Sequence, residues 1–176
     1  MKFKLLAQEI IYEGNAFGVR QDRVQLPDGR EFQVDVVVHP PAVILVPLDD
    51  EGFIWFIQQY RHPADQIMLE LPAGMMEPDE TPPMSAQREL REEIGMAARS
   101  LELIGEFFLA PGYSTEKLYI FLARDLYPSP LEGDLDEFLS VTKIRYEHAL
   151  HSAETGQFQD AKTLAALTLA RRQLAL

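Results

Sequence analysis

The sequence predicts an α/β fold, and three observations carry that reading. Up to about residue 60, short runs of strand-forming residues are punctuated by turn chemistry. Two of these runs, Ala42-Val43-Ile44-Leu45-Val46 and Phe53-Ile54-Trp55-Phe56-Ile57, are continuously apolar, the pattern of central strands covered on both faces. Helical patterning begins only later, near Pro82 and again near Asp160, and supplies the covering layers.

Taken in order, strands are expected over Lys2 to Tyr12, Gly18 to Leu26, Glu31 to Val38, Ala42 to Pro47 and Gly52 to Tyr60. Pro27-Asp28-Gly29 and Asp49-Asp50-Glu51-Gly52 are the clearest hairpin signals. A helix from about Pro82 to Gly95 has Thr81 as its N-cap, prolines in its first turn and a glycine at its exit. Strands follow over Leu101 to Leu109 and Lys117 to Ala123, then an acidic loop from about Pro128 to Glu137 and a last strand over Phe138 to Tyr146. A short helix near Glu147 to Glu154 precedes a terminal helix from about Asp160, whose Leu164, Leu167, Leu169 and Leu174 suit it to cover a sheet face. The proline pair after His39 divides an N-terminal strand region, 1–39, from a main domain, 40–176.

With 176 residues, 47% of them apolar, the chain can bury one core. A net charge of -12 without a basic stripe repels a phosphate backbone, so no nucleic acid partner is expected. A small diphosphate is repelled by the same charge, and an acidic protein acting on one needs a cation in its site. The absence of cysteine excludes disulfides, thiolate-bound metal and a thiol nucleophile. With no apolar run of signal-peptide or membrane-span length, a cytoplasmic location and no membrane contact are expected.

The informative segment runs from Gly74 to Met96. On a helix, Glu89, Glu92 and Glu93 fall at i, i+3 and i+4, so three carboxylates crowd one face within a turn. A solvated acidic face is the ordinary alternative for such a helix. Here Ala86, Leu90 and Ile94 occupy the other side, as if the helix were packed by them while its acids converge. Hard oxygen ligands without cysteine or a histidine pair suit Mg²⁺ or Mn²⁺ rather than zinc.

Gly74, Glu80, Arg88, Glu89, Leu90, Glu92, Glu93, Gly95 and Met96 match the signature of the Nudix hydrolases position for position. Seven fixed and two aliphatic positions would coincide by chance in a chain of this length with a probability on the order of 10⁻⁸. The resemblance implies an α/β/α sandwich with a mixed sheet, in which a loop–helix–loop binds a diphosphate through divalent metal. It also implies Glu89 and Glu93 as main ligands, Glu92 as a further ligand or water-organiser and the Ala73 carbonyl as an added oxygen. Arg88 would hold the acids in place and Glu80 would brace the loop.

Gln58-Gln59-Tyr60-Arg61, Leu69-Glu70-Leu71-Pro72-Ala73-Gly74 and Ala110-Pro111-Gly112-Tyr113-Ser114-Thr115-Glu116 further resemble the ADP-ribose pyrophosphatase branch. With the N-terminal strands and the Asp160-Ala161-Lys162-Thr163 ending, the likeness covers nearly the whole chain. It implies a small nucleoside diphosphate sugar as substrate, with Arg61, Glu70, Glu116, Phe17 and Tyr60 as binding residues. Arg61 would clamp a phosphate oxygen, Glu116 would meet ribose hydroxyls or an outer metal, and the two aromatics would stack on adenine. Each has a plainer alternative: a solvated arginine, a surface salt bridge, a core aromatic. A catalytic base is expected in the loop before the last strand, with Glu137 first and Asp136 and Glu132 behind it. Where relatives commonly carry an arginine, the run here is Val34-Asp35-Val36-Val37-Val38-His39-Pro40, which leaves GDP-mannose or another nucleotide sugar open. By the same analogy the N-terminal strands would pair two subunits into a homodimer.

Overall fold

The computed structural model describes residues 2–133 and 138–174. Its contacts divide the chain into two compact units, Met1–Pro41 with Phe107–Leu118, and Ala42–Glu106 with Tyr119–Leu176.

The first unit is built on an antiparallel three-stranded sheet, β1 (Lys4–Glu13), β2 (Gly18–Gln25) and β3 (Glu31–Val38). Gly29 turns the chain between β2 and β3 at φ 89°, a left-handed conformation that a side chain would strain. Much of β1 is exposed, with Ile10, Ile11 and Tyr12 each more than half accessible. Phe3 meets Phe32 edge-on at 5.9 Å.

The second unit contains β4 (Ala42–Pro47), β5 (Phe53–Arg61), β6 (Gln66–Glu70) and β7 (Ala73–Met75). It also holds α1 (Pro82–Glu93), β10 (Ser140–Arg145), α2 (Tyr146–Glu154) and α3 (Ala161–Leu174). Two long strands, β8 (Met96–Phe108) and β9 (Lys117–Pro128), contribute most of their length. One sheet has the order β7-β4-β9-β8 and another β10-β5-β6. Every residue of β4 is buried because both faces are covered. Val43 and Leu45 belong to a core cluster with Ala86 and Leu90 of α1 and Ile94 at its C-cap, and α3 also packs on this strand. The alternation of a strand turns Ile44 and Val46 to the opposite face. The apolar stripe of α1 is thus fixed against β4, and its acidic side meets Ala73 and Gly74 of β7.

Several expectations are corrected. Phe53 to Ile57 is central in its own sheet but not covered on both faces: Phe53 and Trp55 are only half-buried, beneath Arg145 at 4.7 Å and Lys143 at 3.8 Å. Thr81 sits at the N-cap of α1, yet its side chain makes no capping bond. Pro82 and Pro83 supply no N–H in the first turn, so fewer donors need a cap. The strand expected from Leu101 begins at Met96, directly after Gly95 ends the helix at φ 70°. Ala97 and Ala98 are poor strand formers, but both are buried, and the Gln87 amide brackets the Ala98 backbone. Strands β6 and β7 escaped the sequence reading entirely.

Among the described residues, no helix is long and apolar enough to cross a membrane.

Candidate functional site: an acidic helix face beside a glycine

The link from β6 to β7 lies against α1, and its glycine decides how closely. A Cβ on Gly74 would fall 1.9 Å from Glu89 Oε1 and 2.1 Å from its Cδ, so only glycine lets that carboxylate stand where it does. One residue earlier, the Ala73 amide donates to Glu93 Oε2 at 2.8 Å. Glu89 and Glu93 are both buried, at 7% and 6% exposure. An ionised carboxylate so placed requires compensation from charges or donors.

Part of that compensation comes from Arg88. Its Nη1 donates to Glu89 Oε1 at 2.7 Å and to Glu92 Oε2 at 2.8 Å, and its Nε to Glu80 Oε1 at 2.8 Å. Nη2 donates to Glu80 Oε2 at 3.0 Å, to the Met75 carbonyl at 2.9 Å and to Ser85 Oγ at 3.3 Å. The planar guanidinium therefore ties helix to loop with directional bonds that a lysine would not reproduce. Those bonds, Glu80 foremost, push the Arg88 pKa upward against its burial. The guanidinium bonds in turn hold the Glu80 carboxyl at about 2, and the amide of Glu77, which donates to Glu80 Oε2 at 3.0 Å, acts alongside.

The sequence implies a divalent cation here, and the donor set fits one. Glu89, Glu92 and Glu93 share one helix face and offer only hard oxygen, while one guanidinium faces the carboxylates of Glu80, Glu89 and Glu92. Among the described residues, no group of three or more His, Asp or Glu side chains is already converged as a metal centre. Arg88 accounts for this in part, since it draws one oxygen of Glu89 and one of Glu92 to its own Nη1.

A second charged cluster lies at the other end of the same link. Glu70, 1% exposed, accepts Arg61 Nε at 2.9 Å and Nη2 at 2.8 Å, and pairs also with Lys162. Burial works to raise the Glu70 carboxyl, but Arg61 and Lys162 outweigh it and hold it below its ordinary value. The Arg61 guanidinium is raised, first by its bond to Glu70, with further contributions from the charges of Glu93 and Asp160. Its Nε and Nη2 are thus engaged by Glu70. Tyr60 is half-exposed and donates its hydroxyl to Asp65 Oδ1 at 2.8 Å.

Phe17 and Glu116 belong to the first unit. Phe17 lies 6.3 Å from the Tyr12 ring and helps line a hollow of ≈ 690 Å³ with Val38 and His39. The Glu116 amide donates to Ser114 Oγ at 3.1 Å. Glu137 and Asp136 lie outside the described residues, and Glu132 is exposed. Sequence reasoning gave no role to Asp160, Lys162 or Thr163. The fragment Asp160-x-x-Thr163 is a helix-start signal, but the pairing with Glu70 and Leu71, 92 residues away, shows only in the fold.

Comparison with known proteins gives this arrangement its family. The NUDIX domain family matches residues 38–167. An ADP-ribose pyrophosphatase of Bacillus subtilis (strain 168) is 37% identical over 166 residues, covering 93% of this chain and 90% of that protein. ADP compounds hydrolase NudE of Escherichia coli (strain K12) is 35% identical over 172 residues, covering 97% and 92%. A crystal structure of an ADP compounds hydrolase superposes with a TM-score of 0.88 at 29% identity, covering 99% of this chain and 95% of that one. The fold is thereby the Nudix α/β fold with mixed sheets and N-terminal antiparallel strands. The signature from Gly74 to Met96, the family match and the two relatives agree: the chain belongs to the NUDIX family and is a Nudix hydrolase acting on a diphosphate bond, similar to the ADP-ribose pyrophosphatases.

Proposed function

We propose that the chain hydrolyses the diphosphate bond of a nucleoside diphosphate sugar, with ADP-ribose, cut to AMP and ribose 5-phosphate, as the first substrate. The carrying observation is the face of α1 on which Arg88 gathers Glu89 and Glu92, with Gly74 leaving room for Glu89. The similarity to the Bacillus subtilis ADP-ribose pyrophosphatase supports the choice of substrate.

Nudix hydrolases typically use divalent metal ions. In this chain Glu89, Glu92, Glu93 and the Ala73 carbonyl would hold Mg²⁺, with Mn²⁺ as its substitute. Such an ion supplies neutralisation of the diphosphate oxygens and acidification of water. The protein's own work is orientation and charge. Arg88 keeps the glutamates on one side of the helix, and Arg61 supplies fixed positive charge whose field reaches Glu93. Glu70 orients the Arg61 fork, which adds phosphate contact. Tyr60 serves the nucleoside end. Glu137, ahead of Asp136 and Glu132, takes the proton of the attacking water, an assignment supported by its place in the sequence alone.

Incubation with ADP-ribose, GDP-mannose and related compounds in H₂¹⁸O with Mg²⁺, followed by mass spectrometry, tests this reading. The expected result is AMP and ribose 5-phosphate, one of them carrying the label. Preferred cleavage of GDP-mannose moves the substrate to another sugar nucleotide. Tight binding of ADP-ribose without product makes the protein a binding module.

We infer further that two copies associate through the N-terminal strands, where β1 is an edge strand with Ile10, Ile11 and Tyr12 exposed. Light scattering after gel filtration should give a dimer mass, and a monomer at all concentrations contradicts it.

A further inference from the structure

In the link Glu70-Leu71-Pro72-Ala73-Gly74, the amides of Leu71 and Ala73 are held by two different helices. The Leu71 amide donates to Thr163 Oγ1 of α3 at 2.9 Å, Pro72 has no N–H, and the Ala73 amide donates to Glu93 Oε2 of α1 at 2.8 Å. The Pro72 carbonyl accepts from Leu45 of β4 at 2.9 Å. Thr163 is fully buried, and its hydroxyl donates onward to Asp160 Oδ2 at 2.6 Å. That oxygen also accepts the Thr163 amide at 3.0 Å, the bond of an N-cap to the third helical residue, and pairs with Lys162 Nζ at 2.9 Å. Lys162 reaches on to Glu70, so the start of the link is gripped by the same helical turn.

Geometry turns this grip into control over the acidic site. A single residue, the rigid Pro72, separates the amide held by Thr163 from the one that holds Glu93. Gly74 comes next, already so close to Glu89 that a methyl group there would overlap the carboxylate. A shift of Leu71 away from α3 therefore carries both contacts with it.

We propose that Thr163, braced by Asp160 and Lys162, is a positioning residue for the acidic site: it sets the height of the 71–74 link and so the placement of Glu93 and Glu89. The proposal rests on the reading of those glutamates as cation ligands. Thr163 touches neither substrate nor ion. Removing its hydroxyl leaves the Leu71 amide without its buried acceptor, and the link then relaxes toward another partner.

The test measures Mn²⁺ binding to folded protein by the loss of the free-ion resonance signal, in wild type, Thr163→Val and Thr163→Ser. Thr163→Val should weaken Mn²⁺ binding by about 10- to 100-fold, the usual loss when a group behind a metal ligand is removed. Thr163→Ser, which restores the hydroxyl, should return it to within about threefold of wild type. A purely structural role predicts lower thermal stability for Thr163→Val with unchanged Mn²⁺ affinity per folded molecule, and that result overturns the proposal. If Thr163→Val does not fold, Lys162→Met leaves the buried hydroxyl in place and releases one grip on Glu70. Weakened Mn²⁺ binding in it, restored by Lys162→Arg, supports the proposal, and wild-type affinity overturns it. Wild-type protein that binds no Mn²⁺ overturns the cation-site reading and this inference together, whereas equal binding by wild type and Thr163→Val overturns this inference alone.

Discussion

Two charged clusters occupy the two ends of the same five-residue link, and they are built in opposite ways. At Glu70, two cations, Arg61 and Lys162, answer two carboxylates, Glu70 and Asp160, and the central acid is almost fully enclosed. At Gly74, one guanidinium answers the carboxylates of Glu80, Glu89 and Glu92, with Glu93 beside them on a backbone amide. The first cluster is charge-matched and fastens the fold. In the second, several carboxylates share one guanidinium, the balance that the proposed divalent cation would complete. Substitutions in the two clusters should therefore separate stability from activity.

The largest effect is expected at the matched cluster. Glu70→Ala leaves two cations without their buried partner and should cost about 3–5 kcal/mol of stability, read from urea unfolding. Next comes the unmatched cluster, where Glu93→Gln should lower kcat by about 10²–10³. Because glutamine keeps an acceptor for the Ala73 amide, its melting temperature should fall far less than that of Glu70→Ala. A loss of stability in Glu93→Gln as large as that in Glu70→Ala would erase the contrast.

Smaller is the effect of Gly74→Ala, which forces the Glu89 carboxylate aside. Mn²⁺ affinity should fall by about 10- to 100-fold. Smallest is a pH effect at Glu80. Its folded pKa of about 2 lies below the ordinary 4.5, so its stabilisation is complete above about pH 4.5 and disappears as pH falls toward 2. Unfolding curves across that window should show wild type losing more stability than Glu80→Gln, and parallel curves would contradict the pairing with Arg88.

What the sequence disclosed follows the range of the interactions involved. Glu31 to Val38 and Ala42 to Pro47 form strands over the spans expected, because hairpin signals and apolar runs are local. The helix at Pro82 was legible for the same reason, and its spacing placed three acids on one face. The strand from Met96 was not, since Ala97 and Ala98 become strand only through burial, Ala98 in one cluster with Ala86 and Leu90. Gln66 to Glu70 was missed because its pairing with β5, Tyr60 with Ile67 and Ile57 with Glu70, is decided across a short turn through a left-handed Asp65. At the site, the closeness of Gly74 to Glu89 and of Ala73 to Glu93 gives physical content to a motif first read as spacing. Lys162 and Thr163 stayed hidden because only the folded chain brings them to residues 70 and 71.

The central claim is that the excess acids of α1 exist to take up a doubly charged ion. Crystals soaked in Mn²⁺ and measured at its absorption edge address this directly. The account expects anomalous density within roughly 2.0–2.3 Å of Glu89 and Glu93 oxygens, with Arg88 giving up its hold on Glu89 or Glu92. Density confined to other surfaces, with the Arg88 contacts intact, would contradict it.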